Sequence, residues 1–211
     1  MKSKEKVMEI IKRLKKLYPE HKVALIYKTP FELLVATILS AQTTDVQVNK
    51  VTEPLFKKYS SVKEYADADP DEFQKDVSSV NFYRNKASNI QGSARMIIEK
   101  YGSQVPKTMD KLISLPGVAR KTANIVLSNV YGINEGIAVD THVKRLSYRL
   151  GLTKNEDPVE VEEDLMPITP KEEWSNLSHL LIFHGRKVCQ ARKPNHAECV
   201  LYDICPSRRY D

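Results

Sequence analysis

Glycine is scarce in this chain, seven among 211 residues, and no Asn-Gly or Asp-Gly pair joins two alternating apolar runs. The usual β-hairpin signal is therefore missing, which argues against a protein of tight-turned strands. Long apolar runs are missing too: none approaches the ~20 residues that a membrane-spanning helix needs. The segment Met1-Lys2-Ser3-Lys4-Glu5-Lys6 passes directly into an amphipathic pattern, with neither an apolar signal core nor a small-residue cleavage site. The chain is accordingly expected in the cytoplasm, at the nucleoid if the cell is a prokaryote. Cysteine is rare, and its three copies, Cys189, Cys199 and Cys205, all fall in the last 23 residues. An odd number crowded at one end is a poor disulfide framework and a better metal or cluster site.

What is present suits a globular protein with a proper core, 41% hydrophobic and 28% charged residues. The net charge of +6 favours polyanionic partners, because lysine and arginine that neutralise phosphates release condensed counterions. Charge alone is weak evidence, and it gains meaning only beside a phosphate-binding motif.

Helix starts are abundant. Thr29-Pro30-Phe31-Glu32, Asp69-Pro70-Asp71-Glu72, Asp157-Pro158-Val159-Glu160 and Thr169-Pro170-Lys171-Glu172 share one plan. Each offers a capping oxygen, a proline at the first helical position and a glutamate three residues on. Val7, Ile10, Ile11, Leu14 and Leu17 form one apolar stripe, and Phe31 to Leu39 is apolar nearly all round, as a central buried helix is. Further helices are predicted over about 45–59, 71–79, 84–101, 108–114, 119–131, 142–150, 159–166 and 171–184. The expected class is all-α, with no solenoid repeat and no evident linker.

Two segments carry the chemistry. In Leu112-Ile113-Ser114-Leu115-Pro116-Gly117-Val118-Ala119-Arg120-Lys121-Thr122-Ala123-Asn124-Ile125, a short helix ends, Pro116-Gly117 turns the chain and a second helix starts at once. Ala123, Ile125, Val126 and Val130 are expected to face the core. A turn feeding a helix start presents backbone N–H groups and the positive end of the helix dipole, a ready site for a phosphate. Lys121, in the first turn, sits where the dipole disfavours a cation, and Arg120 adds a second positive charge. Both favour the neutral amine that a nucleophile needs; a surface lysine facing phosphates is equally sound physically. In Gly136-Ile137-Ala138-Val139-Asp140-Thr141-His142-Val143, Asp140 precedes a helix and is a good N-cap. Capping and catalysis are compatible, since capping fixes the carboxylate through one of its two oxygens.

The hairpin string resembles the helix–hairpin–helix element of the endonuclease III family of DNA glycosylases, whose pattern is Leu-Pro-Gly-Val-Gly-Arg-Lys-Thr-Ala; eight of nine positions match. Ala119 stands where a second glycine is usual, and if that position needs positive φ, alanine adds strain of roughly 1–2 kcal/mol and loosens the phosphate grip. Val139-Asp140-Thr141-His142 resembles the segment bearing the family's catalytic aspartate. The resemblance implies that Lys121 attacks C1′ of the damaged nucleoside with Asp140 in support. It also implies a Schiff base and β-elimination, which a hydroxyl at the position of Lys121 could not perform. Leu39-Ser40-Ala41-Gln42-Thr43-Thr44-Asp45 resembles the segment whose glutamine fills the space of a flipped nucleotide. Gln42 is thus the candidate plug, and Asp45 either lies near the site or caps the next helix. Val80-Asn81-Phe82-Tyr83-Arg84-Asn85-Lys86-Ala87 resembles the loop supplying an apolar wedge, here Phe82, unless Phe82 or Tyr83 is core. Leu115, Gly117, Ala119, Arg120 and Thr122 are the hairpin's candidate DNA contacts.

The family's cluster loop is spaced C-x6-C-x2-C-x5-C; this chain reads Cys189-x6-His196-x2-Cys199-x5-Cys205, with histidine as the second ligand. Three outcomes stay open: a [4Fe–4S] cluster with Cys3His ligation, a tetrahedral zinc, or no metal. The loop would bring Arg192 and Lys193, with Arg186 and Lys187 nearby, to the DNA backbone. The resemblance runs over about residues 5–206 and implies a two-lobed all-α fold. One lobe is a six-helix block over 22–133; the other joins 1–21 to 134–211, with Lys121 and Asp140 facing each other across a cleft. The implied enzyme is a bifunctional glycosylase and abasic-site lyase. It would act, as a monomer, on double-stranded DNA carrying oxidised pyrimidines or abasic sites. The alternatives are a monofunctional mismatch glycosylase, a non-catalytic helix–hairpin–helix DNA-binding protein and a metal-based redox sensor.

Overall fold

A computed structural model describes residues 3–19 and 24–208, and among these residues no strand occurs. The all-α expectation holds. The helices are α1 (Ser3–Leu17), α2 (Pro30–Ser40), α3 (Asp45–Lys58), α4 (Val62–Asp67), α5 (Pro70–Asp76), α6 (Tyr83–Tyr101), α7 (Met109–Ile113), α8 (Arg120–Tyr131), α9 (Thr141–Arg149), α10 (Pro158–Leu165) and α11 (Trp174–Lys187). They divide into two compact units: Ala24–Ile133, and Met1–Val23 together with Asn134–Asp211. The domain boundary expected at residue 22 lies outside the described residues.

In the first unit α2 is central and buried from Leu33 to Leu39, packed by α3, α6 and α8. Its start is a complete capping box: Thr29 Oγ1 accepts from Glu32 N at 3.1 Å, and Glu32 Oε2 accepts from Thr29 N at 3.2 Å. Of the four starts that share the proline plan, only this one closes reciprocally; Asp69 and Asp157 accept from the helix amides without the glutamate's return bond. The expected helices omit α4, although Ser61-Val62-Lys63-Glu64 forms its own capping box. The helix is too short for periodicity to reveal, and tertiary contacts sustain it. Gln91 Nε2 of α6 donates to Ala68 O just past its end at 2.8 Å, and Tyr65 joins Phe31, Tyr59 and Phe73 in a ring cluster with centroids 5.1–5.7 Å apart.

In the second unit α1 buries Val7, Ile10, Ile11 and Leu14 against a core that includes Val143, Leu146, Leu177, Leu180 and Leu181. The stripe stops there, because Leu17 is 40% exposed. Thr169 does not cap a helix. Pro170 is extended (φ −55°, ψ 140°), a 3-10 turn covers Lys171–Glu173, and α11 starts only at Trp174. The indole explains this, since Trp174 Nε1 donates to Thr169 O at 3.0 Å and holds that carbonyl out of a helical ladder.

Candidate functional site

The hairpin joins α7 to α8 through Ser114–Ala119. Leu115 N bonds to Leu112 O (3.1 Å) and Val118 N to Leu115 O (3.2 Å), which winds the turn tightly. Gly117 has φ +74°, and a Cβ there would come within 2.7–2.9 Å of the Asn89 side chain, so both torsion and space demand glycine. Ala119 is extended (φ −84°, ψ 167°). The strain considered for it is not incurred, because the left-handed torsion falls two residues earlier. Ala119 is also the N-cap of α8 and brings no side-chain acceptor to the first turn. Lys121, Arg120 and Gly117 are exposed there, and Thr122 is half-buried. Leu115, a candidate contact in the hairpin, is 2% exposed with its N–H used within the turn, so its side chain props the hairpin from the core. Ala123 and Val126 are buried as expected, while Ile125 and Val130 are only half-buried.

Gln42 and Phe82 occupy two loops of the same unit, and the structure brings those loops together. Both residues are exposed, Phe82 by 64%, so Phe82 is not core. Both have left-handed backbones, φ 54° at Gln42 and φ 57° at Phe82, which costs a non-glycine residue roughly 1–2 kcal/mol. Asn81 Nδ2 donates to Gln42 O at 2.5 Å and Asn81 N to Thr43 Oγ1 at 3.3 Å. Thr44, not Asp45, caps α3, accepting from Gln47 N at 3.3 Å; Asp45 sits in the first turn, where its charge suits the helix dipole. No motif assigns Lys86 a role. Its signal was a lysine on the otherwise uncharged buried stripe shared with Ile90, Ala94 and Ile97 of α6. Burial lowers its ammonium below the ordinary lysine range.

In the other unit Asp140 caps α9: Oδ1 accepts from His142 N and Val143 N, both at 2.8 Å, and the residue is half-buried. The caps predicted from Val-Asp-Thr-His are therefore formed. Gly185 of α11 lets that helix pass close by, since a Cβ there would lie 2.8 Å from His142 Nδ1. Burial holds the His142 imidazole below its usual range, with Asp140 opposing and Arg145 adding to the effect.

Cys189, His196, Cys199 and Cys205 line one cavity of about 940 Å³. The three cysteines are unpaired by disulfides and half-buried. Burial pushes the Cys199 and Cys205 thiols up, the cost of an uncompensated thiolate that a cationic metal centre offsets. Among the described residues no three of His, Cys, Asp and Glu converge as ligands of one ion. The four side chains share the wall of that one cavity, with thiol and imidazole donors of the kind an iron-sulfur or zinc centre takes. The loop is strapped to α9: Arg149 donates to Gln190 O (2.8 Å), Ala191 O (2.7 Å) and Cys189 Sγ (3.3 Å). Arg145 donates to Gly185 O and Cys189 O, both at 3.1 Å, and buried His184 lies 3.4 Å from Cys199 Sγ. Arg186, Lys187, Arg192 and Lys193 are exposed. No helix among the described residues is long and apolar enough to cross a membrane.

Residues 35–171 match the HhH-GPD superfamily of base excision DNA repair proteins, and residues 189–205 match the iron-sulfur binding domain of endonuclease III. The chain is 53% identical over 204 residues to endonuclease III of Synechocystis sp., covering 97% of this chain and 93% of that one. It is 50% identical over 190 residues to endonuclease III of Bacillus subtilis, covering 90% and 86%. It also resembles the solved structure of a trapped endonuclease III–DNA covalent intermediate, an estranged-adenine complex, with 44% identity, a TM-score of 0.93, and 99% and 98% of the two chains covered.

Proposed function

The chain belongs to the endonuclease III family of HhH-GPD base excision DNA repair proteins, and from that premise we propose that Lys121 and Asp140 carry out its glycosylase and lyase chemistry. It is a DNA glycosylase with abasic-site lyase activity. The observation that carries the residue assignment is the exposed position of Lys121 in the first turn of α8, directly after the hairpin turn at Gly117. Arg120, Thr122 and the backbone at Gly117 and Ala119 hold a phosphate beside it.

In this reading the amine of Lys121 forms a bond to C1′ as the bond from C1′ to the base breaks. Asp140 receives the proton that the amine must lose and stabilises positive charge on the sugar. Ring opening gives the Schiff base; loss of a C2′ proton expels the 3′ phosphate, and water then releases the lysine. Gln42 fills the vacated stack, and Phe82 wedges the other strand. The substrates are oxidised or ring-saturated pyrimidines and abasic sites in duplex DNA, met by one copy of the chain.

Residues 189–205 form the iron-sulfur loop. We assign Cys189, His196, Cys199 and Cys205 as the holders of a [4Fe–4S] cluster, whose contribution when bound is to anchor the loop that carries Arg192 and Lys193. The expected metal analysis is iron with acid-labile sulfide in the parent chain, retained in His196→Cys and depleted in His196→Ala. Zinc without sulfide would overturn the assignment.

The catalytic reading is tested by borohydride trapping on a duplex containing thymine glycol or 5-hydroxyuracil. A covalent protein–DNA band is expected for the parent and none for Lys121→Ala. Salt-sensitive binding with no band on either lesion or on an abasic site would move the chain to the non-catalytic reading.

A further inference from the structure

Lys86 touches both of the loops assigned to strand separation. Its backbone N donates to Phe82 O at 3.2 Å. Its side-chain ammonium, in a residue only 5% exposed, uses three donors on the last turn of α2 and the loop after it: Leu39 O at 2.7 Å, Ala41 O at 2.6 Å and Thr43 Oγ1 at 3.1 Å. Leu39 O and Ala41 O lie at the C-terminal end of α2, where a cation is favoured by the helix dipole, and Ala41 and Thr43 flank Gln42 directly. A hydrocarbon chain of equal length would fill the same space. What the ammonium adds is directional hold on the carbonyl before Gln42 and the hydroxyl after it.

We propose that Lys86 is a positioning residue for nucleotide extrusion, locking the Gln42 loop onto the start of α6 so that Gln42 and Phe82 enter the duplex as one preformed pair. The inference rests on the reading that these two side chains occupy the opened stack. Left-handed backbone at two non-glycine residues persists only where the surroundings over-determine it. Here the over-determination is visible. Lys86 provides the buried strap, and Asn81, through Gln42 O and Thr43 Oγ1, provides an exposed one. A third tie joins Gln47 Nε2 to Ser79 Oγ at 3.0 Å. Loops ordered before contact need not be ordered during flipping, and this lowers the barrier to extrusion rather than to bond cleavage at C1′.

The test compares single-turnover trapping on a paired lesion with the same lesion in an unpaired bubble, where base pairing has already been lost. A 2-aminopurine beside the lesion reports unstacking. Lys86→Met is expected to slow the paired reaction and its fluorescence change by about tenfold, as loss of charged hydrogen bonds implies, while the bubble substrate slows far less. Asn81→Ala, which alters an exposed side chain, is expected to show the same selectivity at about fivefold. Equal slowing on both substrates, or no slowing on the paired one, overturns the proposal. If Lys86→Met does not fold, Asn81→Ala and Thr43→Val decide by the same comparison. Gln42→Ala and Phe82→Ala test the underlying reading separately: if both react with the paired lesion at the parent rate, the plug and wedge are wrong whatever Lys86 does.

Discussion

At Asp140 the observed capping of α9 and the proposed catalytic role can be pulled apart by one substitution. Its Oδ1 caps α9 through two amide bonds of 2.8 Å, and asparagine caps a helix about as well as aspartate. Asp140→Asn is therefore expected to change unfolding free energy by no more than about 0.5 kcal/mol in chemical denaturation. If Asp140 is the base of the proposed mechanism, the variant's trapping rate should fall by about 100-fold or more, because an amide cannot receive a proton as a carboxylate does. A variant that loses stability and keeps its rate would make Asp140 a cap only. Gly117 and Ala119 show the same scale from the backbone. Ala119 is the one departure from the family's hairpin pattern, yet the left-handed torsion that favours glycine lies at Gly117, beside the Asn89 side chain.

Among the elements, α4 and its ring cluster give the clearest contrast. Tyr59 and Tyr65 are both buried in that cluster, with centroids 5.2 Å apart. Tyr59 OH donates to Asp76 Oδ2 at 2.8 Å, whereas Tyr65 OH is buried with no hydrogen-bond partner among the described residues. Removing the first hydroxyl should cost about 1 kcal/mol and removing the second should be neutral or stabilising. Denaturant midpoints of Tyr59→Phe and Tyr65→Phe decide this, and equal losses would refute it. Local sequence marks the start of α4 at Ser61 and Glu64, but a six-residue helix owes its survival to such packing. The reverse happened at Thr169: the local signal was complete, and an indole five residues on took the carbonyl that a helix needed.

Over the whole molecule, the charge of +6 acquires direction only through folding. Arg192 and Lys193 are exposed on a loop that Arg149 fastens through the carbonyls of Gln190 and Ala191. If both residues meet the DNA backbone, replacing them together by alanine lowers the salt-dependence slope of binding by about 2, since each neutralised phosphate contributes about 0.9. Affinity measured across salt concentrations checks this. An unchanged slope would remove the loop from the interface.

The sequence by itself determined the helical class, most helix starts and the hairpin, and it nominated Lys121, Asp140 and the four candidate ligands, because each is written in residues adjacent in the chain or in fixed spacings. Only the tertiary structure decided that Phe82 is exposed and Leu115 buried, that Thr44 rather than Asp45 caps α3, and that Lys86 joins two loops some 40 residues apart in the chain. Burial and long-range hydrogen bonds depend on which distant segments meet. Local pattern carries the preference of a segment, and packing then selects which of its side chains remain available for chemistry.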